Sequence, residues 1–279
     1  MKKFIVSDLH GNILAYKNIL NYLNNLQETT NEEITLYING DLIDRGYGSG
    51  RMLLDVKDKI LNGYNIKFEY LGGNHELMMY QTVKDMLPNG IKPNNLWFYN
   101  GGEITVKSLS IQQLIDANIF ISNLKIYHKF EETIKDKPIV LVHAKCPDLV
   151  LDECPYTIKD NNSIVGDLVW TRQELINTIG NPKYFTIVGH TPVHEITGYK
   201  YNKYENFLNI DGGCASYACG DYDCNHVPLV EVENEKLTIL TFNTTNEIIS
   251  GNYFIEDTSY EMDAITLEKN RLLLKKKMR

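Results

Sequence analysis

Short apolar runs, each closing on a cluster of polar residues, recur along the first two thirds of the chain. Lys3-Phe4-Ile5-Val6-Ser7 leads into Asp8-Leu9-His10-Gly11, and Ile34-Thr35-Leu36-Tyr37-Ile38-Asn39 leads into Gly40-Asp41-Leu42-Ile43-Asp44-Arg45-Gly46. Ile66 to Leu71 runs into Gly72-Gly73-Asn74-His75-Glu76, Pro138 to Val142 into His143-Ala144, and Phe185 to Val188 into Gly189-His190-Thr191-Pro192. Their length and β-branched content predict buried strands, with the polar clusters at strand C-termini. Sites of α/β sheets collect on that edge.

Between the runs the period changes from strand to helix. Ile13, Leu14, Ile19, Leu20, Leu23 and Leu26 share one helical face behind a capping Asn12. Met52, Leu53, Val56 and Ile60 predict a second helix from Ser49 to Leu61, ended by Asn62-Gly63, and Glu76 to Met86 reads as a third. Strand and helix alternating in this way predict parallel strands with right-handed crossovers, which brings the polar clusters to one edge. Residues 88–137, with no chemistry-bearing run, are expected to form a helical insertion leaning over that edge. Cys146 to Asp167 reads as a loop, followed by Trp170-Thr171-Arg172 and a short helix. Phe207 to Ile210, Pro228 to Val232 and Leu237 to Phe242 predict antiparallel strands in a second sheet packed on the first. The end of the chain, Glu268 to Arg279, reads as a solvated helix with a basic terminus.

Composition narrows the alternatives. With 279 residues and 43% hydrophobic content, the chain can bury one large core or two small ones. No stretch reaches the roughly 18 apolar residues of a membrane span, and the N-terminus enters a strand at once, so a cytoplasmic location is expected. A net charge of -8 argues against sequence-independent nucleic-acid binding and leaves room for a local basic pocket. The five cysteines are read as reduced thiols, and Cys214, Cys219 and Cys224 lack the two-residue gap of zinc knuckles.

The polar clusters carry carboxylates, imidazoles and one amide oxygen, a donor set that suits Mn, Fe or Zn better than Ca or Mg. Asp8 and His10, two apart on a segment taken as extended, would point the same way. His75 diverges from its neighbour Asn74 and is better placed as a general acid, with Asp44 fixing its tautomer. Arg45 offers a forked donor face for phosphate. A lone histidine at a strand end is usually structural, but His10, His75, His143 and His190 recur in one motif order. His128, His194 and His226 lack such support and are read as structural or surface residues.

The ordered series DLHG, GDLIDRG, GNHE, VHA and GHTP closely resembles the calcineurin-like metallophosphoesterases, and within them the bacterial branch of the phosphoprotein phosphatases. The resemblance runs from Asp8 to about Gly213. It implies a four-layer α/β/β/α sandwich of two mixed sheets, with a catalytic domain over residues 1–243, the insertion at about 88–137 and a C-terminal extension over 244–279. It further implies two divalent metal ions, Mn foremost and Fe or Zn as alternatives. Asp8 and His10 would bind the first, Asp41 would bridge, and Asn74, His143 and His190 would complete the second. Two such ions about 3.5–4 Å apart lower the pKa of a shared water for in-line attack on phosphorus. His75 with Asp44 would protonate the leaving group, and Arg45 with Arg172 would hold the phosphate. The expected activity is a serine/threonine protein phosphatase acting on a phosphorylated protein or small phosphoester. A symmetrical dinucleoside tetraphosphate hydrolase and an inactive binding module are the alternatives. Two departures stand out: no arginine precedes GNHE, and Pro192 stands where the wider superfamily often has a histidine.

Overall fold

The computed structural model describes residues 1–89, 95–146, 156–172, 181–193, 202–204, 206–215, 226–243 and 255–257. Three strand–helix units come first: β1 (Lys2–Val6) and α1 (Ile13–Thr30), β2 (Ile34–Asn39) and α2 (Ser49–Asn62), β3 (Lys67–Leu71) and α3 (Asn74–Asn89). Asn12 caps α1 as its position predicts, its side-chain oxygen accepting from the amide of Ala15 at 3.0 Å. Strands β1, β2 and β3 pair in parallel, Val6 opposite Ile38 and Ile38 opposite Tyr70. The chain then forms α4 (Leu96–Tyr99), α5 (Gly102–Lys107), α6 (Ile111–Ser122), β4 (Tyr127–Ile134) and β5 (Lys137–Val142). A 3-10 turn at Ile158–Asp160, α7 (Ser163–Trp170), β6 (Phe185–Val188), β7 (Asn202–Tyr204), β8 (Phe207–Asn209), β9 (His226–Glu233), β10 (Lys236–Asn243) and β11 (Ile255–Asp257) follow.

Two mixed sheets result, one ordered β11-β10-β9-β1-β2-β3 and the other β4-β5-β6-β8-β7. Alternation along the strands divides their side chains between two cores. On β1, Phe4 and Val6 face the helices with Leu36 and Ile38, while Ile5 turns inward to meet Ile139, Leu141, Ile187 and Leu208 of the second sheet. Those inward aliphatic side chains are fully buried, each worth ~1.5–3 kcal/mol relative to exposure. Two mixed sheets flanked by helices give the expected α/β architecture.

Three expectations are corrected. The segment read as a helical insertion is helical only to Ser122; Tyr127–Ile134 is a strand, antiparallel to β5. Strands β9 and β10 are antiparallel as expected, but β9 pairs with β1 and so extends the first sheet, while β8 alone joins the second, parallel to β6. The predicted loop after Cys146 contains α7, started by the Asn162 side chain accepting from the Val165 amide. The expected helices after Arg172 and at 268–279 lie outside the described residues.

The two sheets are joined where β2 ends. Asn39 donates from its side chain to the carbonyl of Val142 at 3.1 Å, and its own carbonyl accepts from Ser7 Oγ and His143 Nδ1. One residue thereby fixes the ends of β1, β2 and β5 against one another.

Candidate active site

The C-terminal ends of β1, β2, β3, β5 and β6 converge, and the loops that leave them turn sharply. Asp8, His10, Asp41, Asp44, Arg45 and His190 all have positive φ, between 41° and 73°. Left-handed backbone costs an L-residue ~1–2 kcal/mol and persists only where the surroundings over-determine it. Here they do: His10 N–H donates to the Asp41 carbonyl, Gly11 N–H to Leu42, and Gly46 N–H back to His10. The expectation that Asp8 and His10 lie on an extended segment is therefore corrected. Gly189 shows how tight the convergence is, since a Cβ there would lie 2.0 Å from Asp8 Oδ2 and 2.1 Å from Ser7 Oγ.

Three imidazoles have their tautomers set by backbone carbonyls. His10 donates from Nδ1 to Ile43, His143 from Nδ1 to Asn39 and His190 from Nε2 to Trp170, at 2.8–3.0 Å. The opposite nitrogen of each is turned to the cluster. His143 Nε2 and His190 Nδ1 lie 3.0 and 2.9 Å from Asn74 Oδ1, and His143 Nε2 is 3.2 Å from Asp41 Oδ1. His10 Nε2 is 3.4 Å from Asp41 Oδ2. In their neutral forms these imidazoles turn lone pairs toward Asp41 and Asn74, an arrangement that a divalent cation can satisfy. Ligand atoms group within 4.8 Å as His10, Asp41 and His75 and as Asp41, His143 and His190, with Asp41 common to both.

Asp8 stands outside both groups. Its carboxylate accepts from Ser7 Oγ and, with both oxygens, from the His190 amide at 3.1 Å. Burial, reinforced by Asp41, raises its pKa to about 6, against the pull of His143. Burial would raise Asp41 too, but the neighbouring His143 and His75, with His10 alongside, hold it well below the usual carboxylate range. Burial lowers His10 to about 3, with Arg45 and His75 adding repulsion, and it lowers His190 with help from His143. In His143 burial is outweighed by Asp41 and Asp8, which push it up to about 10.

His75, first placed as an acid by exclusion, has a distinct environment. Its Nδ1 donates to Asp44 Oδ2 at 2.6 Å, while Nε2 accepts from Arg45 Nη2 at 3.2 Å and lies 3.8 Å from Asp41. Burial disfavours its cation, yet Asp41 and Asp44 together raise its pKa. What distinguishes His75 from the other imidazoles is a carboxylate, not a backbone carbonyl, on its Nδ1. Arg45 reaches His10 Nε2 with its other arm at 3.5 Å. Arg172 is exposed at the mouth of the same cleft, which is about 170 Å³ and also lined by Asn100, Trp170, Pro192 and Asp211.

Several site residues escaped the sequence reading. Glu76 is fully buried and accepts from the amides of Asp41, Leu42 and Gly73 and from the Tyr70 hydroxyl, so it clamps the β2 loop to the β3 loop. Its place beside His75 in the Gly-Asn-His-Glu run was the available signal. Asp211, raised by burial and by Asp8, lines the cleft; the glycines after it were its only mark. The missing arginine before GNHE has a steric counterpart, because a Cβ at Gly72 would lie 2.4 Å from Ile158. Cys146 and Cys214 are buried free thiols, and the other three cysteines lie outside the described residues. No helix of the described residues is long and apolar enough to cross a membrane.

Comparison with known proteins places this geometry. The fold is similar to that of a cold-active protein-tyrosine phosphatase from a psychrophilic Shewanella species, at 16% identity and a TM-score of 0.54, covering 91% of this chain and 80% of that one. It is also similar to a candidate diadenosine tetraphosphatase, at 15% identity and a TM-score of 0.52, covering 88% and 94% of the two chains. No curated protein matches. At such identities the likeness speaks for the fold alone. The family model of the calcineurin-like phosphoesterases matches residues 1–224. With that match spanning all five strand-end motifs, the chain belongs to the calcineurin-like phosphoesterase family.

Proposed function

We propose that the protein is a divalent-metal-dependent phosphomonoesterase that acts on phosphoserine and phosphothreonine side chains. The observation that carries the reading is the convergence, in one cleft, of an acceptor-rich patch, a buried His75–Asp44 pair and two arginines. Asp8, His10, Asp41, Asn74, His143 and His190 would hold a pair of divalent ions, Mn foremost given the mixed oxygen and nitrogen donors. Bound there, the ions supply an activated water and neutralise charge on the phosphoryl oxygens.

The chain's own residues do the rest. Arg45 is within reach of His10 and His75, and a phosphate between them offers its guanidinium a better, charge-assisted acceptor. That rotation frees His75 Nε2 to carry the proton that Asp41 and Asp44 favour. From Nε2 the proton passes to the departing ester oxygen, a step worth ~10²–10⁴-fold. Arg172 closes the outer side of the phosphate position. The cleft volume supports a monoester: about 170 Å³ accommodates a phosphoryl group and is below the roughly 300–1,000 Å³ of pockets that enclose a drug-sized ligand. The leaving group would therefore lie outside the cleft.

The test is to strip the purified chain with a chelator, reload it with Mn and compare four substrates. A phosphoserine or phosphothreonine peptide is expected to be hydrolysed faster than a phosphotyrosine peptide or diadenosine tetraphosphate. Preference for either of the latter overturns the substrate class. No hydrolysis even of an aryl phosphate overturns the enzymatic reading.

A further inference from the structure

Asp44 is fully buried, and its carboxylate accepts three side-chain hydrogen bonds. Its Oδ2 accepts from His75 Nδ1 at 2.6 Å and from Trp97 Nε1 at 2.7 Å; its Oδ1 accepts from Thr105 Oγ1 at 2.5 Å. An indole nitrogen can only donate. The hydroxyl of Thr105 is part of a ring of hydrogen bonds that closes on Asp44. The Asp44 amide donates to Ser49 Oγ at 2.8 Å, Ser49 Oγ and Thr105 Oγ1 share a hydrogen bond at 2.6 Å, and Thr105 Oγ1 donates to Asp44 Oδ1. Both carboxylate oxygens are thereby supplied with donors. That arrangement favours Asp44 as the acceptor and His75 Nδ1 as the donor.

Two of the donors come from α4 and α5, the insertion that carried no chemistry-bearing run in the sequence. Trp97 is completely buried, and its indole lies against Gly102, where a Cβ would be 2.5 Å from Nε1. The adjacent Gly101 carbonyl accepts from the Arg45 amide at 3.3 Å.

We propose that the insertion completes the proton-donating pair, with Trp97 and Thr105 acting as positioning residues that hold Asp44 as an acceptor aimed at His75. The proposal rests on the reading of His75 as the acid, and it adds that the acid is assembled only when α4 and α5 pack over the strand ends.

The test uses the Mn-loaded full chain with phenyl phosphate, whose leaving group needs a proton, and 4-nitrophenyl phosphate, whose leaving group scarcely does. Thr105→Val and Trp97→Phe are expected to lower kcat on phenyl phosphate ~10–100-fold, the usual loss on removing an outer partner. The loss on 4-nitrophenyl phosphate should be several-fold smaller, with KM and Mn content little changed. Thr105→Ser keeps the donor and should restore the wild-type ratio of the two substrates. Equal losses on both substrates, or a Thr105→Val enzyme indistinguishable from wild type, overturn the proposal. His75→Asn is the reference: if it too loses both substrates equally, the acid reading falls and this one with it. If His75→Asn is selective and the other two are not, the insertion's role alone falls. Should Trp97→Phe not fold, the Thr105 pair decides.

Discussion

At one end of the cleft, Asn74 Oδ1 meets the unprotonated His190 Nδ1, and Asp41 gathers three imidazoles around it. At the other end, reached through His75, whose Nε2 lies 3.8 Å from Asp41 Oδ2, both oxygens of Asp44 accept hydrogen bonds, from His75, Trp97 and Thr105. Both carboxylates are equally removed from water, Asp41 at 2% exposure and Asp44 at 0%. Burial therefore does not distinguish their roles, whereas the ratio of donors to acceptors does. A surplus of lone pairs calls for a cation, and a balanced set fixes a proton in place. On the proposed reading, the same surroundings hold a metal position and an acid side by side, without separating them into different pockets.

That contrast can be broken at either end. The largest effect is expected from Asp41→Asn, which removes the ligand common to both donor groups: Mn uptake and turnover should both be abolished, by metal analysis and by phosphatase assay. His75→Asn should instead separate the two readouts, lowering kcat ~10²–10⁴-fold on phenyl phosphate while metal content stays at the wild-type level. Glu76→Gln weakens the clamp between the β2 and β3 loops. It should lower Mn affinity ~10–100-fold and cost ~1.5–3 kcal/mol in denaturant unfolding, the range for a hydrogen bond to a charged group. The smallest effect is expected far from the cleft, in the apolar groove of about 600 Å³ lined by Ile60, Leu61, Phe68, Ile119, Phe120 and Leu124. Leu61→Ser and Ile119→Ser, at positions 63% and 61% exposed, should leave kcat/KM unchanged and stability within ~0.5 kcal/mol. A loss of activity there would mean that the larger cavity, and not the polar cleft, is where substrate binds.

The sequence made the acceptor-rich end of the cleft legible because its residues sit on short motifs at strand ends, where the hydrophobic pattern also marks the strands. Asp41, Asn74, His143 and His190 meet as expected, and Asp44 touches His75 as expected. Trp97 and Thr105 were not legible because they act through single hydrogen bonds from a segment with no periodic signal, 53 and 61 residues from Asp44. Sheet membership was misread for a related reason. The pattern of β9 marks a strand but not its neighbour, and pairing with β1 is set by contacts across more than two hundred residues. The extended segment assumed for Asp8 and His10 failed because alternation ends with the strand, at Val6, and both residues then turn left-handed.

The most direct test of the account is titration of the metal-stripped chain with Mn, read as ions bound per chain for wild type and Asp41→Asn. The account predicts two for the wild type and fewer than one for the variant, with no change in fold by circular dichroism. Wild-type protein that takes up no stoichiometric metal, or a variant that binds as much as the wild type, would contradict it.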